Sequence, residues 1–364
     1  MSARPLQRIL ITAGGTGGHV YPALAVAKAF QAQGVEVRWV GTRQGIESRV
    51  VPANEIAIDY LDVAGVRGQG LKRLLLAPIK IARGVLRVMS IIRTFQPDAV
   101  LGMGGFVTGP TGVAAWLSGR PLFIHEQNAI AGFTNRMLST LARRVFQAFP
   151  TAFPASAKVA TTGNPVRQEI VQLSAPEQRY GDRAGPLRIL VLGGSQGAVS
   201  LNQTVPQAFA QLQGKLDFVV RHQAGPKNIN AAKALYQQAG VEADVVPFIE
   251  DMATAYGWAD LVICRSGALT VSELAAAGVA SLLIPYPHAV DDHQTRNGEY
   301  LSQQGAAVLV QQQHTTPAAL AQLILNSFSD RAQLQIMATR ARELAMQDAT
   351  GKVVRACQEV VGGN

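Results

Sequence analysis

Five glycine-rich turns carry the residue types and spacing that could do chemistry in this chain. Each follows a short apolar segment, and they are Gly14–Gly18, Gly102–Gly105, Gly193–Gly197, Ser266–Gly267 and the looser Gly163–Pro165. Glycine permits positive φ and lets backbone N–H groups approach a ligand, and the N-terminus of a following helix adds partial positive charge. A single pair of glycines would indicate only a tight turn, but five such turns predict a phosphate-bearing ligand.

The first turn, GGTGGH, ends in His19 at the expected start of a helix. The positive end of a helix favours a neutral imidazole, which is the form that a general base needs. A helix-start histidine hydrogen-bonded to its own turn is the alternative interpretation. His19 is therefore a candidate base beside a candidate phosphate site.

Two familiar phosphate-binding patterns do not fit these turns. A P-loop needs a lysine after its last glycine, and no lysine follows any of them. In the dinucleotide fingerprint Gly15 and Gly17 fit, but Val20 takes the place of the third glycine, and Glu36 lies inside a predicted strand. A nicotinamide-dependent oxidoreductase remains a weak alternative.

In the second half, DLVICRSGALTVSELAAAG predicts a buried strand, a turn, and a helix over Leu269–Ala277 closed by Gly278. Glu273 then lies near the start of this helix. Thr270 and Glu273 have the spacing of a capping box, which is the structural interpretation. The functional interpretation is a carboxylate that accepts both hydroxyls of a ribose, and spacing alone leaves the two even.

Other polar groups follow predicted strands. His125, Glu126, Gln127 and Asn128 end one strand together, which favours a site more than any one of them would. Arg167 in GNPVRQEI is either a solvated arginine or, at a cleft, a clamp for a diphosphate.

A further polar segment, IPYPHAVDDHQTRN, places Gln294 and Asn297 three residues apart on one helix face. Their amides suit sugar hydroxyls, although a polar helix start would look the same. His288, Asp292 and His293 lack the ligand spacing of a metal site, so we expect no metal.

The elements that position these groups are apolar strands alternating with alanine-rich helices, as in parallel sheets covered by helices. The predicted strands are Arg8–Thr12, Glu36–Gly41, Ala99–Met103, Leu122–His125 and Arg144–Gln147, then Arg188–Leu192, Asp217–Arg221, Ala243–Pro247, Leu261–Cys264, Ser281–Pro285 and Ala307–Val310. Both series begin with a strand, a glycine turn and a helix. Phe149–Gly185, between them, resembles a linker. Two similar α/β domains would enclose a cleft at the carboxyl ends of their strands.

Composition limits the possible partners. The net charge of +9 favours an anionic partner, namely nucleic acid, a phosphorylated substrate or acidic lipid, and charge alone does not choose among the three. Nucleic-acid binding would favour dense basic patches with aromatics between them, whereas aromatic residues make up only 6% and no long Lys/Arg run exists. Two cysteines are too few for a disulfide framework. A length of 364 residues predicts two domains. Because the sequence shows no cleavable signal pattern and no apolar run of about 20 residues, we expect the protein in the cytosol or on a membrane surface.

The segment LKRLLLAPIKIARGVLRVMSIIR could bind such a surface. Arg73, Lys80 and Arg87 are seven residues apart and form a basic stripe with Arg83, beside an apolar stripe of Leu75, Ile79 and Ala82. A helix packed on its own sheet with a solvated basic edge explains much of the same pattern. The membrane interpretation places the basic rim on anionic lipid and the exposed apolar groups, with Trp116, in the interface.

Seven motifs, in order along nearly the whole chain, resemble the MurG family of bacterial peptidoglycan synthesis. They are GGTGGH at Gly14–His19, GMGGFVTGP at Gly102–Pro110, HEQN at His125–Asn128, GNPVR at Gly163–Arg167, GGSQGA at Gly193–Ala198, SGALTVSE at Ser266–Glu273 and the Gln294 to Asn297 segment. The resemblance implies an α/β fold of the GT-B type, with two Rossmann-like domains whose parallel sheets face each other across a cleft. It implies an acceptor and membrane-facing domain over 1–163, a UDP-GlcNAc-binding domain over 164–341, and a C-terminal helix over 342–364 that packs back on the first domain.

The resemblance also assigns roles to residues of this chain. His19 would be the general base, and Glu126 is the second candidate for that role. Glu273 would bind the ribose diol and Ile249 the uracil. The full UDP-GlcNAc set that it implies is Thr16, Gly17, Gly18, Asn128, Arg167, Ser195, Ile249, Ala268, Leu269, Thr270, Val271, Ser272, Glu273 and Gln294.

The family's reaction moves GlcNAc, with inversion, from UDP-GlcNAc to the C4 hydroxyl of lipid-linked MurNAc-pentapeptide, and it implies no cofactor. The expected partners are those two substrates, the anionic inner-membrane surface on its cytoplasmic face, and other cell-wall and division enzymes, with no nucleic acid. The alternatives are another GT-B enzyme or UDP-sugar epimerase, a non-catalytic UDP-sugar-binding module, and the oxidoreductase.

Overall fold

The computed structural model describes residues 5–62, 71–194 and 197–363, with the side chains of 71–77 and of Val290 outside that description. The chain divides into two compact units. Unit 1 comprises Met1–Val166 with Asp348–Asn364, and unit 2 comprises Arg167–Gln347.

Unit 1 is built on a parallel seven-stranded sheet with the order β3-β2-β1-β4-β5-β6-β7. The strands are β1 Arg8–Thr12, β2 Glu36–Gly41, β3 Ala57–Tyr60, β4 Ala99–Gly102, β5 Leu122–Glu126, β6 Arg144–Gln147 and β7 Val159–Thr161. The helices are α1 Gly17–Ala32, α2 Glu47–Val50, α3 Leu71–Phe95, α4 Thr108–Leu117 and α5 Phe133–Leu138, with α15 Ala349–Gly362 from the end of the chain.

Both faces of this sheet are buried at its centre, which is why β1 and β4 are nearly continuous apolar runs. Ile9 and Ile11 pack in one core with α1 and with Val353 of α15, whereas Leu10 packs in the other core with Val88 of α3.

Unit 2 repeats the plan with a parallel six-stranded sheet in the order β10-β9-β8-β11-β12-β13. Its strands are β8 Leu187–Leu192, β9 Phe218–Gln223, β10 Asp244–Val246, β11 Leu261–Cys264, β12 Ala280–Leu283 and β13 Val308–Leu309. Its helices are α6 Gln168–Val171, α7 Pro176–Gly181, α8 Val199–Ala210, α9 Ile229–Gln238, α10 Met252–Trp258, α11 Ala268–Ala277, α12 His293–Ser302, α13 Pro317–Phe328 and α14 Arg331–Glu343.

The strand order of each sheet reverses at its centre, between β1 and β4 and between β8 and β11. Open parallel sheets bind ligands at such a switch point, beyond the carboxyl ends of the strands. The turns that follow these four strands are four of the glycine-rich turns of the sequence. The topology therefore brings two glycine-rich turns next to each other at the switch point of each sheet.

Three features differ from the sequence predictions. The strands β3 and β7 were not predicted, because both lie at sheet edges and are short and only partly buried. The supposed linker Phe149–Gly185 instead contains β7, α6 and α7. The unit bounds also lie later than 163/164 and 341/342, at 166/167 and 347/348. The second bound is later because Arg342 packs in unit 2, where it donates to the carbonyls of Val171 and Leu173.

Candidate active site

The first glycine turn presents the start of α1. Thr16 is the N-cap residue, Gly17 and Gly18 are the first helical residues, and Gly15 has φ +95°. The first N–H groups of a helix have no partner within it and carry the positive end of the helix dipole. The N–H groups at Thr16, Gly17 and Gly18 could therefore bind an anion, and His19 lies on the same helical turn.

The second glycine turn supports the first at very close range. A Cβ on Gly104 would lie 2.5 Å from Cδ2 of His19, and a Cβ on Gly105 would overlap the carbonyl oxygen of Gly14. The N–H of Gly14 donates to the carbonyl of Gly104 at 3.3 Å, and the hydroxyl of Thr108 donates to the same carbonyl at 2.8 Å. Only glycine at 104 and 105 permits this contact, and it places the His19 ring against Gly104.

Glu126 is buried at the end of β5, and its carboxylate accepts four hydrogen bonds. Oε1 accepts from the backbone N–H and the side-chain amide of Asn128, at 3.0 and 3.1 Å. Oε2 accepts from the N–H of Gly132 at 3.1 Å and the amide of Asn135 at 2.9 Å. This arrangement fixes the orientation of Asn128 rather than leaving the carboxylate exposed for proton transfer.

His125 and Asn164 join the HEQN and GNPVR segments within unit 1. Nε2 of His125 lies 2.9 Å from the carbonyl of Gly163, and Asn164 donates to the carbonyl of Gln127 at 3.1 Å. Burial lowers the pKa of His125 to about 4, so the ring is neutral and donates from Nε2 to that carbonyl. These bonds hold the chain just before unit 2 begins.

Among the candidate residues of unit 2, Glu273 has the pKa that departs most from its ordinary value. Its Oε2 accepts from the Tyr256 hydroxyl at 3.0 Å, whereas no hydrogen-bond donor among the described residues reaches Oε1. Burial raises the pKa of Glu273 to about 7, although the guanidinium of Arg167, whose Nη2 lies 3.7 Å from Oε1 in an ion pair without a hydrogen bond, acts in the opposite direction. A buried carboxylate oxygen without a hydrogen bond is costly unless a ligand supplies the donor.

The capping-box interpretation of Glu273 is wrong. Helix α11 begins at Ala268 with Gly267 as its N-cap, so Thr270 already lies inside the helix. Ala268 to Ser272 form the first turns of α11, and Gly278 ends it in the left-handed conformation with φ 59°.

The remaining donor-site candidates of unit 2 surround the same end of its sheet. Arg167 precedes α6 and donates to the carbonyl of Glu250 at 3.1 Å, next to Ile249 in the loop after β10. Oε1 of Gln294 accepts from the N–H of Tyr286 at 2.9 Å. Asn297 is fully buried and donates to the carbonyl of Ser266 at 3.3 Å, and this bond stabilises the turn before α11. Ser195 lies outside the described residues.

Sequence reasoning missed several supporting residues. Tyr256 lies on α10 with no motif to mark it, and Arg265 ties its turn to the carbonyls of Ile284 and Pro285 at 2.9 Å. Glu47 accepts from the N–H of Gly15 at 3.0 Å. In the sequence, the contact between Glu47 and Gly15 is indicated only by the two glycines, Gly41 and Gly45, that precede Glu47.

The described residues contain neither a metal-binding cluster nor a membrane-spanning helix. No group of three or more His, Cys, Asp and Glu among them could hold a metal ion. Within the same residues, no helix has the length and apolar character that crossing a membrane requires.

Comparison with known proteins identifies the family of the chain. Residues 9–147 match the glycosyltransferase family 28 N-terminal domain, and residues 188–353 match its C-terminal domain. A UDP-N-acetylglucosamine–N-acetylmuramyl-(pentapeptide) pyrophosphoryl-undecaprenol N-acetylglucosamine transferase of Marinobacter nauticus is 52% identical, covering 100% of both chains. The protein of the same name from Stutzerimonas stutzeri is 53% identical over 98% of this chain and 99% of its own.

Among solved structures, Acinetobacter baumannii MurG superposes with a TM-score of 0.83 at 45% identity, covering 97% of this chain and 99% of that one. Two α/β units with parallel sheets, both family 28 domains and full-length relatives above half identity point the same way. The chain is a GT-B-type member of glycosyltransferase family 28 and belongs, within it, to the MurG family.

Proposed function

We propose that this chain transfers N-acetylglucosamine from UDP-GlcNAc to the C4 hydroxyl of undecaprenyl-diphospho-MurNAc-pentapeptide, with inversion, in peptidoglycan synthesis. The names of its full-length relatives support both substrates. The single structural observation that carries the donor half is the buried Glu273, whose Oε1 has no hydrogen-bond donor among the described residues. A ribose diol supplies two O–H donors to such a carboxylate.

The donor is proposed to bind mainly on unit 2. Glu273 accepts the ribose hydroxyls, the backbone at Ile249 contacts uracil, and the N-terminus of α11 with Arg167 and Ser195 holds the diphosphate. Ala268–Ser272 line the nucleotide, while Gln294 and Asn128 bind the GlcNAc hydroxyls. Arg167 suits the diphosphate because a guanidinium fork binds phosphate oxygens in pairs.

The chemistry is proposed to need one base and one stabilised leaving group. His19 takes the proton of the acceptor hydroxyl as its oxygen bonds to C1 of GlcNAc and the bond from C1 to UDP breaks. Negative charge that develops on UDP is stabilised by backbone N–H groups and Arg167. Glu126, with four donors on its carboxylate, keeps Asn128 in place.

A transfer assay tests this reaction. UDP-GlcNAc and a short-chain lipid-linked MurNAc-pentapeptide should give a product heavier by one N-acetylhexosamine. A product that forms with another acceptor only, or UDP-GlcNAc that turns into its epimer, would favour the other enzyme classes. Binding without turnover would indicate a UDP-sugar-binding module, and preference for NAD would favour an oxidoreductase.

Unit 1 is proposed to bind the anionic inner membrane on its cytoplasmic face through α3 and α4, which pack together. Their apolar side chains Ile79, Leu86 and Trp116 are 52%, 66% and 54% exposed. Lys80, Arg83 and Arg87 lie exposed along α3. Exposed apolar groups beside a basic rim fit the interface of an anionic bilayer. Of the predicted stripes, the side chains of Arg73 and Leu75 lie outside the described residues.

The membrane proposal is tested by charge reversal. Glutamate at Lys80, Arg83 and Arg87 should lower binding to vesicles that contain phosphatidylglycerol, because each basic residue near such a surface contributes about 1 kcal/mol. The matched control reverses three exposed lysines of unit 2, Lys215, Lys227 and Lys233. Equal binding by both triple variants at low salt would contradict the assignment. Association with other cell-wall and division enzymes remains an expectation from the family.

A further inference from the structure

A buried carboxylate lies directly behind the first glycine turn. Glu47 begins the short helix α2, and no part of it is exposed to solvent. Its Oε2 accepts from the N–H of Gly15 at 3.0 Å. Its Oε1 accepts from the N–H of Thr42 at 2.8 Å and from the hydroxyl of Thr42 at 2.7 Å. Such bonds to an ionised group are stronger than neutral ones.

Three glycines make room for this carboxylate. A Cβ on Gly14 would lie 2.8 Å from Oε1 of Glu47, and a Cβ on Gly41 would lie 2.7 Å from its Cγ. A Cβ on Gly45 would overlap Oε2. Gly14 belongs to the turn itself, Gly41 ends β2, and Gly45 precedes α2, so separate segments of unit 1 are shaped around one side chain.

The turn needs such support because glycine loses more conformational freedom on ordering than any other residue. If a loop is flexible before the ligand binds, only the fraction of molecules with the loop in its binding conformation can bind. The apparent affinity is reduced by that fraction. The turn has two other anchors near its start. The Trp39 indole donates to the carbonyl of Ala13 at 2.9 Å, and the N–H of Gly14 donates to the carbonyl of Gly104 at 3.3 Å. Glu47 holds the next residue, immediately before Thr16.

We propose that Glu47 is a positioning residue for the acceptor reaction: its carboxylate holds Gly15 so that the N–H groups at the start of α1 and the His19 ring are ordered before the acceptor binds. The inference rests on the proposed function, in which His19 takes the proton, and it assigns the N–H groups of Thr16, Gly17 and Gly18 to the acceptor's diphosphate rather than to UDP-GlcNAc. Glu47 itself touches neither substrate. Its effect should therefore be confined to steps that need the first turn.

The main test replaces Glu47 with methionine, which is similar in length but offers no acceptor for Gly15. We expect kcat/KM for the lipid-linked acceptor to fall about 10- to 100-fold, the factor that corresponds to one hydrogen bond to a charged group. The dissociation constant of UDP-GlcNAc should stay unchanged, since the proposed nucleotide contacts lie on unit 2. Amide hydrogen exchange in the peptide that contains Gly15 should become faster.

Two further variants separate positioning from stability. Glu47→Gln keeps one carbonyl that can face Gly15, so it should recover part of the loss. Gly45→Ala keeps the carboxylate but pushes it away from its site, so it should resemble Glu47→Met even if the latter folds poorly. The matched control is Asp98→Ala. Asp98 is a half-buried carboxylate that accepts from the N–H groups of Gln7 and Arg8, each at 2.8 Å, at the opposite end of β1.

The outcomes are distinguishable. If the wild-type chain transfers no GlcNAc, the proposed function fails. If it does, and Glu47→Met and Gly45→Ala keep the wild-type kcat/KM, the positioning role is overturned. The role is also overturned if Asp98→Ala, at an equal loss of melting temperature, reduces kcat/KM equally. A loss confined to the Glu47 and Gly45 variants, with unchanged donor binding, supports it.

Discussion

Binding of UDP-GlcNAc should weaken about tenfold when the pH is lowered from about 8 to about 6. The pKa of Glu273 is raised to about 7 by burial, so the ligand-free carboxyl is mostly protonated at about pH 6. The ribose diol needs the carboxylate, so binding is linked to loss of that proton. For a site that binds only the ionised form, the dissociation constant scales as one plus the protonated-to-ionised ratio. That sum is about 11 at the lower pH and about 1.1 at the higher one.

The surroundings of Glu273 define the control. Tyr256 donates to it, Arg167 lies 3.7 Å away, and the buried Cys264 lies on the adjoining strand. Glu273→Gln removes the titrating group and keeps these neighbours. The variant should bind UDP-GlcNAc more weakly than wild type, with an affinity that does not change over the same pH interval.

Calorimetric titration with UDP-GlcNAc measures this directly. UDP itself is unsuitable, because a terminal phosphate titrates near pH 6. Repeating the titration in buffers of different ionisation enthalpy should show close to one proton released at the lower pH. Equal pH dependence in wild type and in Glu273→Gln, or no proton release, would refute the assignment of Glu273 to the ribose.

Three further outcomes are expected. His19→Ala should lower kcat by about 10²- to 10⁴-fold with unchanged UDP-GlcNAc affinity, as for loss of a general base, and near-normal kcat would exclude that role. Gly104→Ala should lower kcat about 100-fold, because its Cβ would lie 2.5 Å from the His19 ring and misplace the base. Gly214→Ala is the control with comparable positive φ and no atom within 4 Å, and an equal loss there would point to backbone strain. His125 has its pKa lowered from 6.5 to about 4, so its stabilising contribution is complete above pH 6.5 and is lost as the pH falls towards 4, by up to about 3 kcal/mol. Thermal unfolding at several pH values should show a smaller acid-induced loss in His125→Gln than in wild type.

The acid-unfolding comparison must use differences between variants. Glu273 has a folded pKa above its unfolded value, so its carboxyl lowers stability as the pH rises from 4.5 to about 7, by up to about 3 kcal/mol. This pH dependence of stability from Glu273 is opposite in sign to that from His125, over nearly the same pH interval. A pH profile of the wild-type melting temperature alone would therefore hide both.

The parts of the fold that were predictable from sequence are those with both faces buried. The strands Arg8–Thr12, Glu36–Gly41, Arg144–Gln147 and Leu261–Cys264 have the predicted bounds, because each carries buried apolar side chains between polar or turn segments. Ala57–Tyr60 and Val159–Thr161 lie at sheet edges and are partly exposed, so their sequences lack that signal.

The candidate site was predictable to the extent that it follows from the strand order. Glycine turns after strands can be read from the chain, and the switch points then bring them together in pairs. Contacts between side chains distant in sequence cannot be read in this way. Glu47 reaches Gly15 over 32 residues and Tyr256 reaches Glu273 over 17, and no spacing rule connects either pair. The four hydrogen bonds to Glu126 likewise depend on how the loop after β5 folds, which the sequence does not reveal.

The central claim is the transfer of GlcNAc to a lipid-linked muramyl sugar. The most direct measurement incubates the full chain with UDP-GlcNAc and short-chain lipid-linked MurNAc-pentapeptide in EDTA, then determines the product's mass and its glycosidic linkage by NMR. We expect one added N-acetylhexosamine on O4 of MurNAc, with the anomeric configuration inverted relative to the donor. An unchanged acceptor while UDP-GlcNAc is still bound, or a product with retained configuration, would contradict it.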